Sequence, residues 1–300
     1  MGRCHRLHIL LIILLSLISY SNTLNSSFHF DDEPAIVNNP IIKDIGYFIS
    51  PSRAEPFKGV FHYDALKRRY ITLLTFAINY RIHGLNVAGY HLVNLSIHIS
   101  TAILLYLFIL LTLRTPLLIN SSIKDYSGHI AIFTALLFAT HPIQTEAVTY
   151  IWQRTTSISA MFCLLSFVMY VKYRLRARAL YYLACLVLAV FAMKAKENAF
   201  VLPISIMLYE IIFFGADIKK RALSLIPILL AMLIVPLSII DINKPMVDVG
   251  EATRGASTLT RWQYLMTSFR VIITYIRLLF LPINQNLDYD YPVYDSFFDT

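Results

Sequence analysis

The sequence predicts an all-α polytopic membrane protein with seven or eight transmembrane helices and a large first outer loop. Three observations predict it. The 300 residues are 57% hydrophobic and only 15% charged, against about a quarter charged in a soluble chain. The apolar residues gather in runs near the roughly 20 residues that a helix needs to cross a hydrocarbon core of about 30 Å. Short basic clusters separate the runs, as the positive-inside bias requires.

The first run, Leu7–Tyr20, follows Arg3 and Arg6 as the core of a signal peptide would. Ser19-Tyr20-Ser21 is a poor small-residue cleavage site, so an uncleaved signal-anchor helix is expected. Residues 21–89 form the large outer loop. Within it Tyr70–Ile82 is mostly apolar and is expected as a short helix lying on the outer surface. Residues 90–240 hold six more spans: Tyr90–Leu113, His129–Val148, Thr155–Val171, Ala179–Met193, Ala199–Phe214 and Ala222–Ile240. β-Barrel strands would be about half as long and would alternate in polarity. The outer segment 241–300 contains the last run, Thr260–Leu281. There Gln263, Thr267, Arg270, Thr274 and Arg277 recur at steps of four and three, one polar face along an amphipathic helix. Two arginines do not face lipid. This helix is therefore expected at the interface or along a polar cavity rather than across the bilayer. The whole of 1–300 is read as a single membrane domain, and its end at Asp299-Thr300, in an acidic stretch without a closing element, as that of a fragment of something longer.

Orientation follows from the loops. With the amino terminus in the cytoplasm, the cytoplasmic segments carry Arg3, Arg6, Arg114, Lys124, Lys172, Arg174, Arg176, Arg178, Lys219, Lys220 and Arg221. The short outer loops carry only Arg154, Lys194, Lys196, Lys244 and Arg254, so the balance is eleven basic residues against five.

The net charge of +8 is spread over these clusters, and nucleic-acid binding, which needs one contiguous basic patch, is excluded. Cys4, Cys163 and Cys185 have no motif spacing and imply no disulfide or metal site. No Gly-rich phosphate loop, nucleophile elbow or zinc-helix motif occurs. A transporter would want broken midplane helices and a repeat between halves, and neither is visible.

Polar residues that can carry chemistry converge on the outer side. Asp31-Asp32-Glu33 follows the first span directly. Adjacent carboxylates repel, which raises the pKa of at least one and suits a general base or a cation ligand. Asp31 and Asp32 are the catalytic candidates. His91, Asn94 and His98 fall on one helix face, since their offsets are three, four and seven. That face serves either interhelical hydrogen bonds or, without a carboxylate, a weak metal site. His141-Pro142 with Glu146, then Trp152-Gln153-Arg154, and Lys194 to Asn198 with Lys196 and Glu197, mark two outer turns. Arg154, Lys196, Arg270 and Arg277 are the candidate phosphate clamps, arginine above all for its planar fork. His91, Asn94, His98, His141, Glu146 and Glu197 support them. No cofactor is named by the sequence, and a divalent metal is compatible with it.

In order along the chain, Phe30-Asp31-Asp32 with Asn38-Asn39-Pro40, Leu73–Tyr80 with Gly84-Leu85-Asn86, Tyr90 through His98, His141-Pro142 through Val148, Lys196-Glu197, and Pro282 through Pro292 resemble the transmembrane and tetratricopeptide-repeat (TMTC) family and its bacterial relatives. The resemblance implies the C-type membrane glycosyltransferase fold. It also implies transfer of a mannose-like sugar from a polyprenyl-phosphate carrier to a protein or glycan hydroxyl, with an acidic base in the first outer loop. The family's tetratricopeptide repeats are absent here, and Ile71-Thr72 stands where relatives carry an Arg-Pro pair, which leaves a catalytically inactive membrane scaffold as the rival reading. The short loops and the Asn38-Asn39-Pro40 segment favour a bacterial inner membrane. The endoplasmic reticulum is the alternative, and there Asn25-Ser26-Ser27 would be a glycosylation acceptor.

Overall fold

The computed structural model describes residues 3–58, 61–215, 218–239, 260–287 and 289–296. It divides into two units, Met1–Ile239 and Ile240–Thr300, each described by itself. Lys244, Arg254, Asp288, Asp299 and Thr300 lie outside the described residues.

Among the described residues every regular element is helical. The first unit holds α1 (Arg3–Ser19), α2 (Tyr70–His83), α3 (Val87–Thr112), α4 (Ser127–Thr140), α5 (Arg154–Arg176), α6 (Ala179–Ala195), α7 (Leu202–Phe214) and α8 (Ile218–Leu230). Among the described residues three stretches are long and apolar enough to cross a membrane: Val87–Thr112 and Ile151–Arg176, with 26 residues each, and Glu197–Phe214, with 18. Cys4–Ser19, Ala179–Ala195 and Ser224–Ser238 are shorter apolar helices. Leu10, Phe133, Leu180 and Leu208 stand exposed on these helices, a surface suited to lipid and unsuited to water. The chain is a membrane protein.

The pairing of helix ends shows an antiparallel arrangement. Tyr106, late in α3, bonds through its hydroxyl to His5 and His8, early in α1, at 2.6 and 3.0 Å. His91, early in α3, donates to the Ser26 carbonyl just beyond α1, at 2.9 Å. His98 donates to the carbonyl of Ala139, at the end of α4, at 3.0 Å. Small residues bring the helices close: Ala131, Ala135 and Ala139, one per turn of α4, are wholly buried against Ile12, Ala102 and Tyr106. At the far end of α5 and α7, Glu210 is wholly buried between Arg174 at 2.7 Å and Arg221 at 3.2 Å, and accepts from the Tyr170 hydroxyl at 3.0 Å.

Two expected runs are interrupted. The 129–148 run ends its helix at Thr140, because Pro142 drives His141 to an extended backbone. The 222–240 run breaks after Leu230 into a tight turn, Ala231–Leu233, and a short helix, Ile234–Ile239; Pro227 and Pro236 remove helical N–H groups on either side. The expected short helix exists as α2, and Ile78 and Ile82 are exposed on it. Its Thr72, Leu73, Phe76 and Ala77 are buried beneath the first loop, in a core with Ile36, Ile41, Ile42, Tyr90 and Trp152. Asn39 holds this loop. Its side-chain oxygen accepts from the Ile41 N–H at 2.9 Å, and its amide donates to the Ala35 carbonyl at 2.9 Å. Gly84, at φ 58°, ends α2, and Asn86 caps α3.

In the second unit, α9 (Arg261–Phe280) starts with a capping box between Thr260 and Gln263. This 20-residue helix is not among the three stretches apolar enough to span. Residues 289–296 fold back on its polar face. Trp262 Nε1 and Gln263 Nε2 each donate to Asp295 at 2.8 Å, Thr267 Oγ1 accepts from the Tyr294 N–H at 3.2 Å, and the Arg270 guanidinium lies 5.1 Å from the Tyr294 ring centre.

Candidate functional site

The polar groups of the first unit concentrate where α1, α4 and α6 end and α3, α5 and α7 begin. The acidic turn opens with Phe30 in the left-handed region at φ 48°, a conformation that costs a side-chain-bearing residue roughly 1–2 kcal/mol. A π-helical turn, Glu33–Val37, follows. Between them the two aspartates part. Asp31 is exposed, and its backbone N–H donates to the Tyr150 hydroxyl at 3.0 Å. Asp32 is 1% exposed; its Oδ1 accepts from the Trp152 N–H at 2.8 Å and its Oδ2 from the His29 N–H at 3.0 Å. Burial raises the Asp32 carboxyl to about 6, against the pull of those two N–H groups. The mutual repulsion expected from sequence contributes, through Asp31, only as the least of the causes.

Behind this turn stands Arg154, 0% exposed. Its Nε donates to Asn94 Oδ1 at 2.7 Å, and one terminal nitrogen donates to Asn79 Oδ1 at 2.9 Å and the Tyr90 carbonyl at 3.0 Å. The guanidinium lies 4.3 Å from the centre of the Phe76 ring, which stacks in turn on Trp152. Wholly buried, this arginine joins α2, α3 and α5 from within. Asn94 completes the joint by donating to the Val148 and Ile151 carbonyls, both at 3.4 Å. With His91 on Ser26 and His98 on Ala139, the expected polar face of α3 is engaged in interhelical and loop hydrogen bonds. His141 Nδ1 accepts from the Ile143 N–H at 3.2 Å and so fixes the turn after α4.

A second group forms a chain of donors running from cation to anion. Lys196 Nζ donates to Thr156 Oγ1 at 2.6 Å, Thr156 to Gln153 Oε1 at 2.7 Å, and Gln153 Nε2 to Glu146 Oε1 at 2.8 Å. Burial raises Glu146, opposed by the Gln153 bond and the Lys196 charge. Burial also lowers Lys196, and Arg69 adds to that, while Glu197 and Glu146 oppose it. Glu197 itself takes Arg69 Nε on both oxygens, at 3.2 and 3.0 Å. Thr72 Oγ1 donates to the Ala195 carbonyl at 2.9 Å beside this pair.

Asp31, Asp32, Glu146, Lys196 and Glu197 thus belong to one end of the first unit. Arg270 and Arg277 belong to the second unit, where Arg270 lies over Tyr294. Sequence reasoning passed over Arg69, Asn79, Tyr150 and Thr156. Arg69 had a signal in its basic run, and Asn79 in its place amid apolar residues; Tyr150 and Thr156 had none. Among the described residues no three His, Cys, Asp or Glu side chains stand close enough to hold a metal ion.

No family model matches the chain, and no solved structure matches it. The chain is 32% identical over 178 residues to the Caenorhabditis elegans protein O-mannosyl-transferase F38B6.6, covering 56% of this chain and 23% of that one. It is 32% identical over 181 residues to the Drosophila melanogaster protein O-mannosyl-transferase Tmtc3, 55% of this chain and 19% of that one. With the human protein O-mannosyl-transferase TMTC3 it shares 33% identity over 175 residues, 55% and 17% respectively. The matched part is thus about a fifth of the length of these relatives.

Proposed function

We propose that this chain, a relative of the TMTC proteins, is a membrane glycosyltransferase of the C-type fold. In this reading α1 and α3 to α8 make seven spans, with the amino terminus in the cytoplasm and α9 outside the bilayer as part of an outer segment. The enzyme moves a mannose-like sugar from a polyprenyl-phosphate carrier to an acceptor hydroxyl on protein, at the non-cytoplasmic face. The observation that carries the reading is the divided acidic turn: one carboxylate open to an acceptor, its neighbour locked by two backbone N–H groups.

The roles follow from exposure. Asp31 takes the proton of the acceptor hydroxyl as it attacks the anomeric carbon. Asp32 holds the turn that presents Asp31. The bond to the carrier's phosphate breaks, and Lys196, aligned through Thr156 and Gln153 toward Glu146, meets the departing negative charge in a site of low dielectric. Arg270 and Arg277 stay candidates for donor-phosphate binding on the second unit taken by itself. Arg154, His91, Asn94 and His98 keep the site's walls in register. The short loops favour a bacterial inner membrane, with the endoplasmic reticulum as the alternative; the relatives compared are from animals.

The test is a transfer assay on the purified, inserted chain with a panel of polyprenyl-phosphate sugars. Sugar transfer that disappears in Asp31→Asn, with phosphate carrier released only by the parent, supports the reading. A parent that transfers none of the panel, while remaining folded and inserted, overturns it in favour of a scaffold.

A further inference from the structure

A groove of ≈ 420 Å³ lies between the end of the first loop, the start of α2 and the last turns of α6. That volume is within the roughly 300–1,000 Å³ of small-molecule sites. Leu66, Ile71, Val190 and Phe191 are among its apolar walls, and Lys67 and Lys194 line it as well. Val190 and Phe191 belong to α6, an apolar helix, and Phe191 is 38% exposed. Lys194 follows on the same helix, three and four residues on, which is about 4.5–6 Å nearer its end. With α6 taken as a span, the groove runs from acyl-chain depth toward the headgroups, and its character changes along that path from apolar to cationic.

Among the described residues lining the groove none is acidic. Lys194 Nζ donates to the Lys67 carbonyl at 3.3 Å, and Lys67 Nζ lies 5.0 Å from the centre of the Tyr63 ring. Glu197, the acid nearest Lys194 in sequence, is committed to Arg69. Two ammonium groups lining one apolar groove repel, and an anion between them relieves that repulsion. Free phosphate would leave the walls bare, whereas a lipid satisfies both ends.

We propose that the groove seats an anionic phospholipid of the surrounding leaflet, its phosphate between Lys67 and Lys194 and one acyl chain along Leu66, Ile71, Val190 and Phe191. The lipid ties the first loop to α6 on the flank where Arg69–Glu197 and Thr72–Ala195 already join them. This site is separate from the transferase reading and stands without it.

The full chain, purified into phosphatidylcholine nanodiscs with a minor share of phosphatidylglycerol, is examined by native mass spectrometry for retained lipid. The parent should retain phosphatidylglycerol in preference to phosphatidylcholine. Each lysine near a membrane surface contributes about a fivefold preference for anionic lipid, so Lys67→Met with Lys194→Met should lose about twenty-fivefold. Lys67→Arg with Lys194→Arg should retain it, which separates lost charge from misfolding. Lys172→Met with Arg176→Met removes the same charge at the opposite end and should leave retention unchanged. A Phe191→Trp reporter should be quenched by phosphatidylglycerol brominated on its acyl chains in the parent background and not in the double methionine variant. Equal retention in the parent and the double methionine variant would overturn the proposal. So would a preference of the lysines for polyprenyl phosphate over phosphatidylglycerol, which would give the groove to the donor instead.

Discussion

The backbone N–H of Trp152 donates to Oδ1 of Asp32 at 2.8 Å, across 120 residues of sequence. This bond joins the first loop to the turn that precedes α5. The Trp152 ring stacks on Phe76, and Phe76 receives the Arg154 guanidinium on its face. The acidic turn and the buried arginine are therefore held by one short stretch, residues 152–154, and a change at either should be felt at the other.

The two aspartates should separate in mutagenesis. Asp31→Asn removes an exposed carboxylate that holds no backbone group in place, so transfer should fall by about a hundred- to ten-thousand-fold with thermal stability unchanged. Asp32→Asn replaces one acceptor oxygen by a donor facing an N–H group. It should lose both activity and stability, the latter by about 1–3 kcal/mol for the buried partner left unsatisfied. Sugar transfer and thermal unfolding of both variants check this; equal loss of stability in the two would contradict the division.

Arg154→Lys should be nearly as damaging as Arg154→Met. A guanidinium reaches Asn94, Asn79 and the Tyr90 carbonyl at once from a planar fork, and a single ammonium cannot. Each buried acceptor left bare costs about 1–3 kcal/mol, so the yield of monodisperse protein and its unfolding temperature should both drop. Rescue by lysine to the parent's stability would show that the charge alone matters.

What the sequence disclosed depended on whether a residue's partner also left a trace in it. The polar face of His91, Asn94 and His98 could be read from spacing, but its partners are the carbonyls of Ser26, Val148, Ile151 and Ala139, and a carbonyl carries no residue type. Arg154 is legible at its turn, but the partners it meets there are not. Buried arginines are usually sought beside an acid, and this one is met by neutral oxygens and a ring. Glu210 offered a signal, an acid inside an apolar run with Arg174 and Arg221 in the flanking basic clusters, and it was not taken up. Helix existence was legible from apolar run lengths. The helix ends at Thr140 and Leu230 were less so, because the apolar residues continue past them.

Lys196→Met should lower transfer by about a hundred- to a thousand-fold, the usual effect of removing one group from a preorganised charge-stabilising site. Thr156→Val and Glu146→Gln leave the ammonium in place and break or weaken its alignment. Their losses should be below tenfold and should appear in use of the donor rather than of the acceptor. Steady-state kinetics with each substrate varied in turn will tell; a Lys196→Met enzyme as fast as the parent would remove Lys196 from the phosphate site.

A cysteine in place of Glu55 should react with an impermeant maleimide from the side facing away from the cytoplasm, and one in place of Arg176 should not. Both positions are exposed, so access is set by the membrane rather than by burial. Arg176 lies at the end of α5 opposite to the Trp152 turn. Labelling of both positions in sealed cells would overturn the antiparallel placement of these two ends across a bilayer.

Stability and transfer should respond to pH in opposite directions around Asp32. Burial raises its carboxyl to about 6 from an ordinary value of 3.8. Between those values the folded protein keeps a proton that the unfolded chain has released. The stabilisation tied to that proton is complete below the ordinary value and is lost as the pH rises through about 6. Transfer should go the other way. The ionised carboxylate accepts both the Trp152 and His29 N–H groups, whereas a protonated one leaves one of its oxygens a poor acceptor and loosens the turn that aims Asp31. Activity should therefore rise as the pH passes about 6. Thermal unfolding of the parent between mildly acidic and neutral pH contains contributions from every titrating group, so the informative quantity is its difference from Asp32→Asn. That difference should move against Asp32 as the pH rises, while the activity step vanishes in the variant. A difference curve flat with pH would mean that the Asp32 carboxyl titrates in the folded protein as it does in the unfolded chain. The locked acidic turn would then have no part in the pH dependence of transfer.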